Sequence, residues 1–180
     1  AERVIAVDLV PERLRLAETW GGAEPLNIQD LANVAEELKR RTGGRGPDGI
    51  IDAVGLAAQN HSAAGVVDRA RQKMHLESDH PGVLPLAIKA CRKGGTIAVA
   101  GHYDGAGRLP IGAAYAKNLQ LKFGLSHPQR YLRPLLQRIE QGEIDPAPIL
   151  THTFSLSQAP QGYRLFDRKE EGCIKVVLKP

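Results

Sequence analysis

Val4-Ile5-Ala6-Val7-Asp8, followed at once by Leu9-Val10-Pro11-Glu12-Arg13-Leu14, is the stretch on which the fold turns. An unbroken apolar run ending in an acid is the pattern of a strand buried on both faces, not the alternation of a half-solvated one. A strand is expected over Arg3–Val7. Pro11 suits the first turn of a helix, where its missing N–H would lack a partner anyway. Leu14, Leu16, Ala17 and Trp20 then supply apolar positions until Gly21-Gly22 stops it. The result is one β-turn-α unit.

The same alternation continues outward. Leu26–Ile28 reads as a second short strand, then Asp30 as the cap of a helix with Leu31, Val34, Ala35 and Leu38 at helical spacing. Glu36/Arg40 and Glu37/Arg41 are spaced as i,i+4 ion pairs on that helix. Gly49-Ile50-Ile51-Asp52-Ala53-Val54-Gly55 is a third strand running into glycine. The polar stretch Leu56–Gly82 is expected to hold a helix and a loop. A helix over Pro81–Lys93 with Val83, Leu84, Ala87, Ile88 and Cys91 on one face is then stopped by Gly94-Gly95. Strands follow at Thr96–Ala100 and Asn118–Phe123, and a helix at Pro128–Gln141. Thr151–Leu156 is extended, Gln158–Phe166 is a helix after a Ser157 cap, and Ile174–Leu178 is a final strand. Strands alternating with helices specify an α/β fold with a parallel sheet, in one domain over residues 1–180.

Composition agrees. The 180 residues carry 42% hydrophobic and 24% charged side chains, a globular balance, and the few aromatics (Trp20, four Tyr, three Phe) require an aliphatic core. The formal charge of +4, from 24 basic and 20 acidic residues, is too small an excess to argue for nucleic acid. The apolar runs fall far short of the roughly 20 residues that span a bilayer, and no signal-peptide pattern begins the chain. A cytosolic location is expected. Cys91 and Cys173 lack disulfide or zinc spacing and read as small buried hydrophobes.

Several strand ends carry functional content. An acid closing the second strand of a doubly wound dinucleotide fold accepts hydrogen bonds from the adenosine ribose, and its charge disfavours the 2'-phosphate of NADP. Asp8 is either that acid or the first residue of a turn before Pro11, and Arg13 either faces the same ribose or is simply solvated. Val54-Gly55, Ala100-Gly101 and Phe123-Gly124 each end a strand in glycine, which lets a backbone approach a ligand and is also an ordinary way to leave a strand. His102 stands at the same presumed crevice. The histidines form no H-E-x-x-H or other tight ligand pair, and no G-x-S-x-G elbow is present. Lys39-Arg40-Arg41 sit at a helix C-terminus, where cations suit the dipole.

These blocks together resemble the cofactor half of zinc-dependent medium-chain alcohol dehydrogenases, and most nearly their formaldehyde-dehydrogenase-like branch. The carrying residues are Val4–Leu14, Ile51–Gly55, Cys91–Gly101, Gly142–Pro146 and the tail Lys169–Pro180. The resemblance implies that Asp8 holds the adenosine ribose with Leu9 and Arg13 beside it. It places Val54 and Gly55 on the adenine side, and Ala100, Gly101, His102 and the turn from Gly124 to Ser126 by the nicotinamide. It sets Lys175 near the pyrophosphate. The cofactor so implied is NAD. The polar 56–82 stretch has a counterpart in that branch.

The departures from the family are as informative. Its G-x-G-x-x-G turn lies roughly 20 residues before the ribose-binding acid, and only seven residues precede Asp8 here. The expectation is therefore a Rossmann-like, doubly wound parallel sheet lacking its first strand and glycine-rich turn. The separate catalytic domain, which carries the family's zinc ligands, is expected to be absent, so this chain holds no zinc. In the 3-2-1-4-5-6 order the missing strand is central, so Val4–Val7 and Ile50–Val54 lose a shared neighbour. Three resolutions follow: the chain is part of a larger protein, the two strands close up and pair, or a partner supplies a strand. The first is favoured. The expected function is the NAD-binding portion of an alcohol or formaldehyde dehydrogenase, a homo-oligomer inactive as an isolated chain. The alternative is a truncated, catalytically inactive homologue serving as an oligomerisation module.

Overall fold

The computed structural model describes residues 1–54, 82–103, 109–125 and 127–180. Gly55, Ser126 and nearly all of the polar 56–82 stretch lie outside the described residues. In chain order the elements are β1 (Ile5–Asp8), α1 (Pro11–Thr19), β2 (Glu24–Asn27), α2 (Val34–Arg41), β3 (Gly49–Asp52), α3 (Val83–Ala90) and β4 (Thr96–Val99). Then come α4 (Ile111–Ala116), β5 (Gln120–Phe123), α5 (Pro128–Glu140), β6 (His152–Ser155), α6 (Ala159–Arg168) and β7 (Val176–Lys179). They divide into two compact units, residues 1–27 with 127–180 and residues 28–126. Every strand pair described is parallel, as the α/β pattern requires.

In the first unit β1 pairs with β2, Ile5 opposite Glu24 and Asp8 opposite Asn27. Parallel neighbours need a crossover; α1 supplies it, packing on both strands with Leu14 buried. Val10, Ala23 and Leu26 complete this small core. A second crossover joins β6 to β7 through α6, where His152 faces Val176 and Ser155 faces Lys179. That helix approaches its strands closely because residue 162 is glycine: a Cβ there would lie 3.1 Å from Val176 Cγ1 and 3.3 Å from Phe154 Cδ2. The expected Ser157 cap is not formed: α6 has Gln158 at its N-cap without a side-chain bond, and Ser155 instead caps the 3-10 turn Leu156–Gln158 just before it, its N–H donating to Gln158 Oε1 at 3.1 Å. Helix α5 is amphipathic, and Leu132, Leu135, Leu136 and Ile139 on it are exposed.

The second unit holds a three-stranded sheet in the order β3-β4-β5, with Asp52 opposite Val99 and Val99 opposite Phe123. Its core is Leu84, Ala87, Ile88, Cys91, Ile97, Val99 and Ala114, so one face of α3 lies on β4 as the periodicity demands. Burying a side chain such as Ile88 or Leu84 stabilises the fold by about 1.5–3 kcal/mol, and both are essentially inaccessible, at 0% and 1%. The cysteine expectation holds: Cys91 and Cys173 are both buried and unpaired.

Two helix boundaries differ from the sequence expectation. Helix α2 begins after Asn33, whose Oδ1 accepts from Glu36 N at 3.2 Å, because Asp30 closes a short 3-10 turn over Ile28–Asp30 instead of capping the helix. The ion pairs shift accordingly. Glu37 binds Arg41 at 2.9 Å as expected, but also Arg40 at 2.7 Å, while Glu36 takes Lys39. Helix α3 stops at Ala90, short of Gly94-Gly95, because Cys91 turns extended and Arg92 donates its N–H to the Pro47 carbonyl at 3.1 Å. The side chain of Lys117 closes that helix end, its Nζ donating to the carbonyls of Ile88, Lys89 and Cys91 at 2.9, 2.7 and 2.9 Å. The loop before β3 presses on the same end: Gly46 has φ +94°, and a Cβ on it would stand 2.1 Å from the Ala90 carbonyl oxygen.

Among the described residues β1 pairs with β2 alone and β3 with β4 alone. No pairing of β1 with β3 is found among the described residues.

Candidate functional site

Asp8 is the last residue of β1, where the chain leaves the sheet for α1. Its carboxylate does not swing freely. Oδ1 accepts from the N–H groups of both Leu9 and Val10, at 2.7 and 2.9 Å, so the turn itself orients the acid. The other oxygen, Oδ2, faces Arg13 at 3.7 Å, and the side chains remain 29% and 36% exposed. The separation exceeds hydrogen-bond distance, which leaves Oδ2 able to accept from a diol and the guanidinium able to stay beside it. Asp8, Leu9 and Arg13 are thus brought together within the first unit.

Lys175 belongs to the same unit but stands at the start of β7, exposed, with its backbone engaged. Its carbonyl accepts from Thr151 N and His152 N, each at 3.1 Å. It makes no hydrogen bond or ion pair with Asp8 or Arg13.

The second unit assembles the other strand ends. Asp52 closes β3 and is wholly buried, at 0% exposure. Its backbone carbonyl accepts from two successive amides beyond β4, Ala100 and Gly101, both at 2.8 Å. Its side chain accepts from Val54 N–H at 3.0 Å and from the Tyr103 hydroxyl at 2.5 Å. Burial, and then this bond to Asp52, hold the Tyr103 phenol well above its ordinary range, so it stays a donor. Val54 is 41% exposed, and Ala100, His102 and Gly124 are exposed. Because the Ala100 and Gly101 N–H groups are already bound, their carbonyls and open faces are what remain for a ligand.

In the second unit the sequence pattern marks Val54, Ala100, Gly101, His102 and Gly124, but not Asp52 or Tyr103. The signal was there in part, an acid at a strand end, the same signal that marked Asp8. Gly55 lies outside the described residues. Among those described, no three His, Cys, Asp or Glu side chains converge to hold a metal ion, and no helix is long and apolar enough to cross a membrane.

Residues 1–71 match the family described as zinc-binding dehydrogenase. Along its full length the chain is 36% identical to a zinc-type alcohol dehydrogenase-like protein of Bacillus subtilis, of which it covers 47%. Alcohol dehydrogenase TADH from Thermus sp. ATN1 superposes on 99% of the chain with a TM-score of 0.76 and 31% identity, 46% of that structure being covered. A structure described as an NAD-dependent alcohol dehydrogenase gives a TM-score of 0.69 at 26% identity over 99% of the chain and 44% of its own. The chain spans about half the length of the curated relatives it matches. Their fold, a Rossmann-like parallel α/β sheet, is the one found here, and over that part of their length the chain is similar to the zinc-type alcohol dehydrogenases.

Proposed function

We propose that this chain is the NAD-binding portion of an alcohol dehydrogenase which, as a complete protein, oxidises an alcohol by hydride transfer to NAD. The observation that carries the reading is Asp8. A carboxylate fixed by Leu9 and Val10 at the end of a parallel strand, with one oxygen left beside a cation, can accept from the hydroxyl donors of an adenosine ribose. Bound there, NAD supplies the hydride acceptor. Asp8 accepts hydrogen bonds from the ribose hydroxyls, and Arg13 sets the charge around them; of the second unit's residues, Val54 is proposed for the adenine and Ala100, Gly101 and His102 for the nicotinamide. Gly124 and Lys175 complete the assignment. The described residues hold no metal-ligand cluster.

The branch is proposed more narrowly as formaldehyde-dehydrogenase-like, on the tail Lys169–Pro180. Two buried, unpaired cysteines support a reducing cytosol. The test is titration of the complete protein with NAD and NADP. Saturable NAD binding that Asp8→Ala weakens by about tenfold or more is the expected result, and indifference to Asp8 overturns the reading. The isolated chain is expected to form no NADH from alcohols.

One observation favours the second reading, an inactive oligomerisation module. Among the described residues β5 is the outer strand of its sheet, with Phe123 at its end 58% exposed and Leu125 just beyond it 75% exposed. Sedimentation separates the two: a self-associating protein that ignores millimolar NAD is the module.

A further inference from the structure

Asp52 ties together the end of β3, the turn at Val54 and the segment that leaves β4. It ends β3, its carbonyl receives the Ala100 and Gly101 amides, and its buried carboxylate receives Val54 N–H and the Tyr103 hydroxyl. Tyr103 follows directly on Ala100-Gly101-His102, and its ring packs against the core cluster of the second unit. The segment leaving β4 is therefore held at both ends: by amides to the Asp52 carbonyl, and by a phenol to the Asp52 carboxylate. A buried carboxylate is costly without donors. With donors such as these it becomes a rigid anchor whose bonds strengthen in the low-dielectric interior.

We propose that Tyr103 is a positioning residue which, through Asp52, fixes Ala100-Gly101-His102 for the nicotinamide half of the cofactor. The inference rests on the NAD-binding reading and adds to it a residue that meets no part of the cofactor itself. Holding a segment in place before a ligand arrives removes the ordering cost from the binding step. Loss of the phenol-carboxylate bond returns that cost, and returns it only for ligand atoms that meet this segment.

The test compares NAD with ADP-ribose, which lacks the nicotinamide, on the complete protein and its Tyr103→Phe variant. Phenylalanine keeps the ring in the core and removes one hydrogen bond. The expected result is an NAD Kd raised about fivefold, with the ADP-ribose Kd unchanged within about twofold. A purely structural Tyr103 lowers thermal stability and moves both ligands alike or neither, and that overturns the inference while leaving the NAD-binding reading intact. Absence of NAD binding by the unmodified protein overturns the NAD-binding reading first and the inference with it. Asp52→Asn, which keeps the backbone carbonyl and one side-chain acceptor, serves as the second variant. It is expected to show the same selectivity for NAD over ADP-ribose, and equal effects on both ligands again count against positioning.

Discussion

Asp8 and Asp52 make a pair worth setting side by side. Each is the last residue of a four-residue parallel strand, IAVD in one unit and GIID in the other, and each receives an N–H two residues on. There the likeness stops. Asp52 has no exposure and a phenol on its second oxygen, whereas the side chain of Asp8 is 29% exposed, with Arg13 standing 3.7 Å from its second oxygen. One carboxylate is completed from within the protein, the other is left open toward a ligand. An acid at a strand end does not by itself declare a binding site; what occupies its outer oxygen decides.

The contrast is broken or sharpened by substitutions at the two acids. Asp52→Ala leaves the Tyr103 hydroxyl and the Val54 N–H without their acceptor in a buried place, at a cost of about 3 kcal/mol. Chemical denaturation measures it, and a loss under about 1 kcal/mol erases the distinction. Asp8→Asn is expected to act in the opposite currency, changing stability by less than about 1 kcal/mol while weakening NAD by about tenfold. Calorimetry on the same variant reads both. Arg13→Ala is milder, since the guanidinium stands beside the acid without a close bond. An NAD Kd raised about two- to threefold with unchanged stability is expected, and an effect as large as that of Asp8 makes the cation the principal contact.

The smallest effect belongs to a third acid, Glu37, whose partners are two arginines of its own helix. Hydrogen bonds from Arg40 and then Arg41 lower the Glu37 carboxyl from 4.5 to about 2. A lowered folded-state value means that the contribution is complete above pH 4.5 and is lost as the pH falls toward about 2. Glu37→Gln is expected to flatten the acid limb of stability in that window and to change nothing at neutrality beyond the loss of two surface pairs. An acid limb of unchanged slope removes Glu37 from the account.

Much of the architecture is legible without coordinates because apolar runs bounded by glycine and proline mark strands and helices directly. All seven strands, and helices α1 and α5, lie within a residue or two of expectation. Boundaries failed where two good signals competed. Asp30 and Asn33 are both fine caps, and a 3-10 turn takes the first. Gly94-Gly95 is a good stop, but the chain leaves α3 earlier to bond Pro47. Asp8 was legible because its partners, Leu9, Val10 and Arg13, are local. The Asp52–Tyr103 bond spans 51 residues and exists only because β3 and β4 pair in one particular register. No sequence window contains it.

The clasp of Lys117 on the end of α3 bears on which chemical changes that position tolerates. One ammonium serves three converging carbonyls, those of Ile88, Lys89 and Cys91, as a tetrahedral donor set can and a flat fork cannot. Arginine, usually the gentlest replacement for lysine, is therefore a poor one here, and an acetylated lysine, with a single N–H left, is poorer still. At this helix end the shape of the cation matters as much as its charge.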